Sequence, residues 1–85
     1  MFGGESITVT FKARRSIVNQ ILDWFDGNVE FTNITADNVV CRVRVNHDAF
    51  KYWVLQYMQS VKVLTPASLV TEVKAAIEEG LHQYS

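Results

Sequence analysis

Two arginines, Arg42 and Arg44, are the residues of this 85-residue sequence whose type and spacing are best suited to chemistry. They are two positions apart, so in an extended strand their guanidinium groups lie on the same face. Guanidinium groups bind phosphate and carboxylate oxygens through paired hydrogen bonds. Lys12 and Arg14 add two cations from an earlier segment. The sequence therefore predicts an anion-binding site formed by Lys12, Arg14, Arg42 and Arg44.

The same four cations also have a simpler interpretation. Charged side chains on a sheet face often do no more than keep that face hydrated, and Glu30 is available to pair with them. Eight Lys and Arg against nine Asp and Glu give a net charge of −1, which argues against general affinity for nucleic acid. A small anionic or nucleotide-like effector is the ligand that fits this balance, and a hydrated surface is the alternative.

The other reactive residue types do not form a site. Cys41 alternates with positions predicted to face solvent, so its thiol is expected to be buried, and buried thiols are normally inert. His47 and His82 are far apart in the sequence, whereas zinc needs three or four convergent ligands. The pair Gly3-Gly4 stands alone before a strand and forms no phosphate-binding loop. We expect no catalytic residues, no metal and no cofactor.

The composition indicates one small domain. Hydrophobic residues make up 48% of the chain, yet no apolar run approaches the roughly 20 residues of a membrane-spanning helix. The N-terminus has no signal-peptide pattern, and one cysteine forms no internal disulfide. We expect a cytoplasmic domain that does not contact a membrane. Because domains this small usually need a metal, disulfides or a partner, a partner or a longer parent chain is expected.

Alternating and helical patterns predict the elements that position the cations. Residues 5–13 alternate as a half-buried strand, and a helix follows from Ser16, its predicted N-cap, to Gly27. Residues 29–32 and 39–45 form a predicted hairpin around the turn residues 35–38.

A second helix and a further strand–helix pair complete the chain. The second helix is predicted to begin near Asn46 as its cap, with Asp48 in the first turn. A short strand at 61–64 leads to Thr65 as a cap and Pro66 as the first residue of a third helix.

This order predicts an α+β fold of the ferredoxin-like split βαβ type, with strand order 4-1-3-2 and an additional C-terminal helix. Both crossover helices then cover one face of the sheet, and Lys12, Arg42 and Arg44 lie on the other face, while Arg14 follows the first strand. Strands one and three are expected to be parallel neighbours, which would place Lys12 and Arg44 near the same end of the sheet.

The third helix has an apolar stripe but no obvious place in a two-layer sandwich. It is expected to dock on a sheet edge, on the open sheet face or on another molecule, and packing within its own domain is the default. Trp24 lies off the main stripe of the first helix and suits either a contact surface or the edge of the core, whereas Trp53 is expected in the core. The predicted homodimer interface is Trp24, Leu69, Val73, Ile77 and Tyr84.

The sequence resembles the C-terminal extension that follows the WYL domain in bacterial transcriptional regulators. The resemblance covers nearly the whole chain and rests on short motifs. They are Phe2-Gly3-Gly4, Val9-Thr10-Phe11, Trp53-Val54-Leu55 and Val61-Lys62-Val63-Leu64-Thr65-Pro66-Ala67-Ser68-Leu69. Met58 departs from the family pattern, which usually has glycine there as a helix terminator.

The resemblance implies a regulatory domain rather than an enzyme. Residues 1–4 would be a connector from an upstream domain, and residues 5–85 one regulatory and dimerisation domain. The parent protein would contact DNA through its helix-turn-helix domain and sense an effector with its WYL domain. A free-standing small-molecule-binding module similar to ACT-type sensors is the alternative, because those modules share the split βαβ order.

Overall fold

The computed structural model describes residues 6–84, which form a four-stranded antiparallel sheet and three α-helices. The α+β class is confirmed, and the predicted connector at residues 1–4 lies outside the described residues. A 3-10 turn, Arg15–Ile17, joins the first strand to the first helix. The elements are β1 (Ser6–Arg14), α1 (Val18–Phe25), β2 (Val29–Ile34), β3 (Asn38–Asn46), α2 (His47–Gln56), β4 (Val61–Thr65) and α3 (Ala67–His82).

The strand order is β2-β3-β1-β4, which is the predicted order read from the other edge. The prediction that β1 and β3 are parallel is wrong, because they pair antiparallel, with Val9 opposite Val43. The chain direction explains this result. The α1 crossover returns the chain so that β2 runs in the direction of β1, and the β2–β3 hairpin then reverses it.

Aromatic rings from three elements fill the centre of the core. The ring of Phe11 on β1 lies 5.4 Å from that of Phe50 and 6.1 Å from that of Phe25, measured between centroids. Trp53 packs edge-on to Phe25 at 5.1 Å and is 1% exposed, which confirms its predicted core position. Because Phe11 contacts residues of both α1 and α2, these helices lie on the same side of the sheet.

The two ends of α1 are formed differently from each other. Ser16, the predicted N-cap, lies within the 3-10 turn, and no side chain caps the helix, so that prediction is wrong. The predicted stop at Gly27 is confirmed. Asp26 and Gly27 have φ angles of 53° and 76°, and the Gly27 N–H donates to the Leu22 carbonyl at 3.1 Å. Left-handed residues of this kind commonly end helices.

The caps of the other two helices agree with the sequence to within one residue. The side-chain oxygen of Asn46 accepts a hydrogen bond from the Ala49 N–H at 3.0 Å, as predicted for α2. Pro66 is the N-cap of α3 rather than its first residue, and Thr65 belongs to β4. The cap is displaced because β4 remains paired with β1 through Thr65, which lies opposite Thr10.

The third helix docks on the helical side of the sheet, beside α2 and the edge strand β4. Leu69 and Val73 of α3 are 0% and 9% exposed and belong to the same core cluster as Phe11. The C-terminal residues of α3 are exposed. All three helices therefore cover one face of the sheet, and the opposite face is left open.

Candidate functional site

The open face of the sheet carries five cations, which we call the basic face. All five side chains are exposed, and each neighbours inward residues of its own strand, because successive side chains of a strand point to opposite faces. They come from the three adjacent strands β3, β1 and β4: Arg42, Arg44, Lys12, Arg14 and Lys62.

The antiparallel register corrects the predicted position of Lys12 relative to Arg44. Arg44 lies opposite Thr8, whereas Lys12 lies opposite Val40, four residues away on β3. At about 3.4 Å per residue, the two cations are separated by about 14 Å along the strand direction. They do not lie near the same end of the sheet, as the parallel arrangement would have required.

The cations instead form a stripe along the sheet. Lys12 lies directly opposite Lys62 on β4. Arg42 and Arg44 continue the stripe in one direction on β3, and Arg14 continues it in the other on β1. Successive levels are two residues apart, about 7 Å, so the stripe is about 20 Å long. An extended anion with several charged groups suits this spacing better than a single compact one.

The cations of the basic face have no acidic partner among residues 6–84. The ion pairs recorded in this part of the chain all lie on the helical side. Glu30 is paired with Arg42 in the β2–β3 register, but no contact within 4.0 Å joins their charged groups. Because like charges opposite each other destabilise a sheet, an anion bound between Lys12 and Lys62 would relieve a repulsion.

A polar pocket of about 530 Å³ lies at the Arg14 end of the stripe. Arg15 lines this pocket, where its guanidinium donates to the Thr35 carbonyl at 3.4 Å and its backbone N–H donates to the Asp37 carbonyl at 3.0 Å. Its volume is within the range of small-molecule sites. The lining residues are Arg14, Arg15, Ser16, Ala36, Asp37 and Asn38.

On the helical side, His47 joins α2 to α3. Its Nδ1 lies 2.9 Å from Asp48 Oδ1, and its Nε2 lies 2.7 Å from Glu72 Oε2 on α3. Lys51 Nζ lies 3.8 Å from the other oxygen of Glu72. The hydrogen bonds to Asp48 and Glu72 raise the pKa of His47. These contacts favour the protonated imidazole, which can donate to both carboxylates and so connects the two helices.

The cysteine behaves as the sequence predicts. Cys41 is fully buried in the sheet, and burial raises its pKa to about 11. The thiolate, which is the reactive form, is therefore disfavoured near neutral pH. Within residues 6–84, no three His, Cys, Asp or Glu side chains are grouped to hold a metal ion. No helix in the same region is long and apolar enough to cross a membrane.

The comparison with protein families identifies the chain. The model of the WCX domain matches residues 5–81. The chain belongs to the WCX family. WCX domains are the C-terminal extension domains found in WYL-domain transcriptional regulators, so the resemblance seen in the sequence is confirmed. No curated protein and no solved structure matches the chain.

All four predicted ligand residues of this WCX domain lie on the basic face. Lys62 was not predicted as part of this group, although the residues around it in the sequence indicate its position. It alternates with the inward-facing Val61 and Val63, and the predicted strand order already placed β4 beside β1. Combining the two observations would have placed Lys62 next to Lys12.

The five predicted interface residues separate into two groups. Trp24, Ile77 and Tyr84 are exposed by 44%, 38% and 92%, so they are available to a partner. Leu69 and Val73 instead pack into the core of their own domain. The first half of the apolar stripe of α3 therefore packs into the domain core, and the second half is exposed to solvent.

Proposed function

We propose that this WCX chain is the C-terminal regulatory domain of a WYL-type transcriptional regulator, where it contributes to dimerisation and to effector-dependent control of DNA binding by upstream domains. The family match over residues 5–81 supports this role over that of a free-standing ACT-like module. In this proposal the domain is not an enzyme, and the parent protein works in the cytoplasm, where bacterial DNA is located.

The unpaired stripe of the basic face is the observation that carries the effector part of the proposal. Cations two residues apart on adjacent strands match a ligand with several anionic oxygens, such as a nucleotide-like effector. Arg42 and Arg44 would bind these oxygens in pairs, and Lys12, Lys62 and Arg14 would add point charges. Loss of an arginine contact to a charged oxygen costs about 1.5–3 kcal/mol, which is roughly tenfold or more in affinity.

Titration of the chain with adenosine, AMP, ATP and inorganic phosphate tests the effector site. We expect affinity to rise with the number of phosphates and adenosine not to bind. The double variant Arg42→Ala/Arg44→Ala is expected to weaken ATP binding at least about tenfold. Lys51→Ala, a lysine variant on the helical side, is the control and should bind ATP as tightly as the unmodified 85-residue chain does. If the double variant binds ATP as tightly as the unmodified chain, the basic face is a hydrated surface rather than an effector site.

The exposed end of α3 supports the dimerisation part of the proposal. Ile77 and Leu81 are four residues apart and 38% and 69% exposed, and Tyr84 follows at 92%. Side chains four apart share one helix face, so these residues form an apolar stripe that a second copy would cover. Trp24 on α1 would be a further contact.

Light scattering after size-exclusion chromatography tests dimerisation. We expect a mass of about twice the 9.7 kDa of the chain, and the single mass for Ile77→Glu/Leu81→Glu. The control is Ala75→Glu, which also places a glutamate at an exposed position of α3 but two residues from Ile77 and therefore on another face of the helix. A monomer at millimolar concentration would contradict dimerisation by this domain.

Control of DNA binding requires that the effector prefer one arrangement of the parent protein over another. In the parent regulator, we therefore expect the effector to change operator affinity and Arg42→Ala/Arg44→Ala to remove that change. Operator affinity without effector should remain the same, because DNA contact belongs to the upstream domains. If the effector changes operator affinity equally in the unmodified regulator and in Arg42→Ala/Arg44→Ala, the basic face is not coupled to DNA binding.

We also infer that the domain has the ferredoxin-like arrangement. The element order, the antiparallel strand order β2-β3-β1-β4 and the position of α1 and α2 on one face support it. This fold requires both helical crossovers to be right-handed, as nearly all such connections are. An experimental structure with a left-handed crossover would contradict the assignment.

A further inference from the structure

A small pocket between α1 and α2, which we call the aromatic pocket, combines aromatic rings with a carboxylate. Its volume is about 250 Å³, and it is lined by Gln20, Asp23 and Trp24 of α1, by Trp53 of α2 and by Tyr57, the C-cap of α2. The ring centroids of Trp53 and Tyr57 are 5.1 Å apart. No ring contact within residues 6–84 joins Trp24 to either of them, so open space separates Trp24 from the other two rings.

The residues of the aromatic pocket select a cation. Aromatic faces attract ammonium and guanidinium groups, and tryptophan does so most strongly. Asp23 adds a full negative charge at the rim, beside Trp24, which is 44% exposed, while Trp53 at 1% exposure forms the base. The volume is below the usual range of small-molecule sites, and it suits the end of one side chain. None of the eight lysines and arginines of the chain lines the pocket.

One of these eight cations, Lys74, is available to fill such a pocket. Five of them lie on the basic face, on the other side of the sheet. Arg15 donates to a backbone carbonyl at the polar pocket, and Lys51 Nζ lies 3.8 Å from Glu72. Lys74 is exposed on α3 and takes part in no ion pair recorded among residues 6–84. It precedes Ile77 by three residues, so it borders the exposed stripe of the proposed dimer contact.

The packing of the helices places Lys74 at the same level as the aromatic pocket. α2 lies between the other two helices, because it contacts α1 through Trp53 and α3 through Lys51. β3 and β4 both run antiparallel to β1, so α2 and α3, which follow them and turn back along the sheet, run in the same direction. Lys51 contacts Glu72, and Lys74, two residues beyond Glu72, is therefore about level with Trp53.

We propose that in the dimer the Lys74 ammonium of one copy enters the aromatic pocket of the other copy, against Trp24 and Asp23, and that this contact is made twice. Two copies with their helical sides together and a two-fold axis parallel to α2 bring α1 of each copy opposite α3 of the other. Rotation about that axis does not change the level along the helices, so the two residues that are level within one copy meet between copies. The inference rests on the proposed dimerisation, and it fits an isologous interface, in which each contact occurs twice.

Dissociation constants of the dimer, measured by light scattering over a dilution series, test the proposal. Lys74→Gln and Asp23→Asn should each weaken the dimer about fivefold or more, because every dimer loses two contacts. Far-ultraviolet circular dichroism should show the same fold for both variants, since both positions are exposed.

Charge reversal gives a sharper test, because the contact is reciprocal. Lys74→Glu and Asp23→Lys should each be monomeric at concentrations where the unmodified chain is a dimer, since each variant brings two like charges together. An equal mixture of the two variants should dimerise, because the mixed dimer has one original ion pair and one reversed ion pair. Ala75→Glu and Glu79→Lys place the same new side chains on another face of α3 and should dimerise as the unmodified chain does.

Three results would overturn the proposal. If Lys74→Glu and Asp23→Lys dimerise normally while Ile77→Glu/Leu81→Glu is monomeric, the dimer forms without this contact. If the mixture of the two charge-reversal variants stays monomeric, the two residues do not meet. A monomeric unmodified chain would contradict dimerisation itself, and this contact with it.

Discussion

Lys12 and Lys62 lie opposite each other on β1 and β4, and neither has an acidic partner among the described residues. Directly opposed like charges destabilise a sheet, whereas opposite charges stabilise it by roughly 0.2–1 kcal/mol. A sheet selected only for stability would not need this pair. The anion binding that we propose for the basic face would offset their repulsion.

The first prediction follows from this pair. Lys62→Glu replaces the repulsion with a cross-strand ion pair, so we expect the free energy of unfolding to rise by up to about 1 kcal/mol. The same substitution should weaken ATP binding, because it places a negative charge in the stripe. Urea denaturation and ATP titration measure the two effects. Lys74→Glu on α3 is the control, and equal effects of the two substitutions on both measurements would contradict the prediction.

The His47 bridge predicts how stability depends on pH. Because contacts to Asp48 and Glu72 raise the folded-state pKa of His47, its protonated form favours folding. This contribution is fully present below the ordinary pKa of about 6.5 and is lost as the pH rises through the higher folded-state pKa. We therefore expect the melting temperature of the chain to fall as the pH rises above about 6.5.

Two variants isolate this contribution. His47→Gln and Glu72→Gln should each flatten the fall in melting temperature, because each removes one side of the bridge between α2 and α3. Glu79→Gln, at an exposed position of α3, should show the same fall in melting temperature as the unmodified chain. A pH profile of His47→Gln that is indistinguishable from that of the unmodified chain would show that the bridge does not stabilise the fold.

At the scale of elements, α3 has two halves with different environments. Its first half packs through Leu69 into the core beside β4, and its second half exposes Leu81. The division follows from the lengths of the two elements, because the five residues of β4 span about 17 Å while the sixteen residues of α3 span about 24 Å. A helix that is longer than the strand it covers leaves part of its apolar stripe for another surface.

The two leucines of α3 provide a matched prediction. Leu69→Ala should lower the free energy of unfolding by about 2–5 kcal/mol, because it leaves a cavity in the core. Leu81→Ala, the same change on the same helix, should change it by no more than about 0.5 kcal/mol in the monomer. Urea denaturation at low protein concentration measures both. Similar losses for the two variants would show that α3 does not divide in this way.

Across the whole molecule, the charges are separated by the sheet. Five of the eight lysines and arginines lie on the basic face. The helical side carries most of the acidic groups: Asp23, Asp48, Glu72, Glu78 and Glu79. The net charge of −1 therefore conceals two faces of opposite sign. Association with anions is governed by the local field of one face rather than by the total.

This separation predicts that the chain binds a sulfonate cation-exchange resin in low salt at pH 7, although its net charge is negative. Arg42→Glu should abolish retention, and Lys74→Glu should not, although both change the net charge by the same amount. Retention should also fall steeply with salt, since exposed charges are screened within about 10 Å at 0.1 M. Equal loss of retention in both variants would contradict a localised basic face.

The sequence by itself determined the elements, the Asn46 cap, the helix stop at Gly27 and the inward residues. Hydrophobic residues that recur every two positions in a strand, or every 3.6 positions in a helix, show which side chains face the core. Caps such as Asn46 act within a few residues. It also placed Lys12, Arg42 and Arg44 on the outer face of the sheet. Ser16 and Pro66 differed from prediction because strand pairing and the 3-10 turn set those helix starts, and pairing is not a local property.

Only the tertiary structure decided which cations are neighbours and which part of α3 is buried. Pairing β1 antiparallel to β3 moved Lys12 away from Arg44, and pairing β1 with β4 brought Lys62 opposite Lys12. The docking of α3 beside β4 took Leu69 into the core and left Ile77 exposed. These outcomes depend on the relative direction and position of segments far apart in the chain, whereas periodicity and caps report only the chain's immediate surroundings.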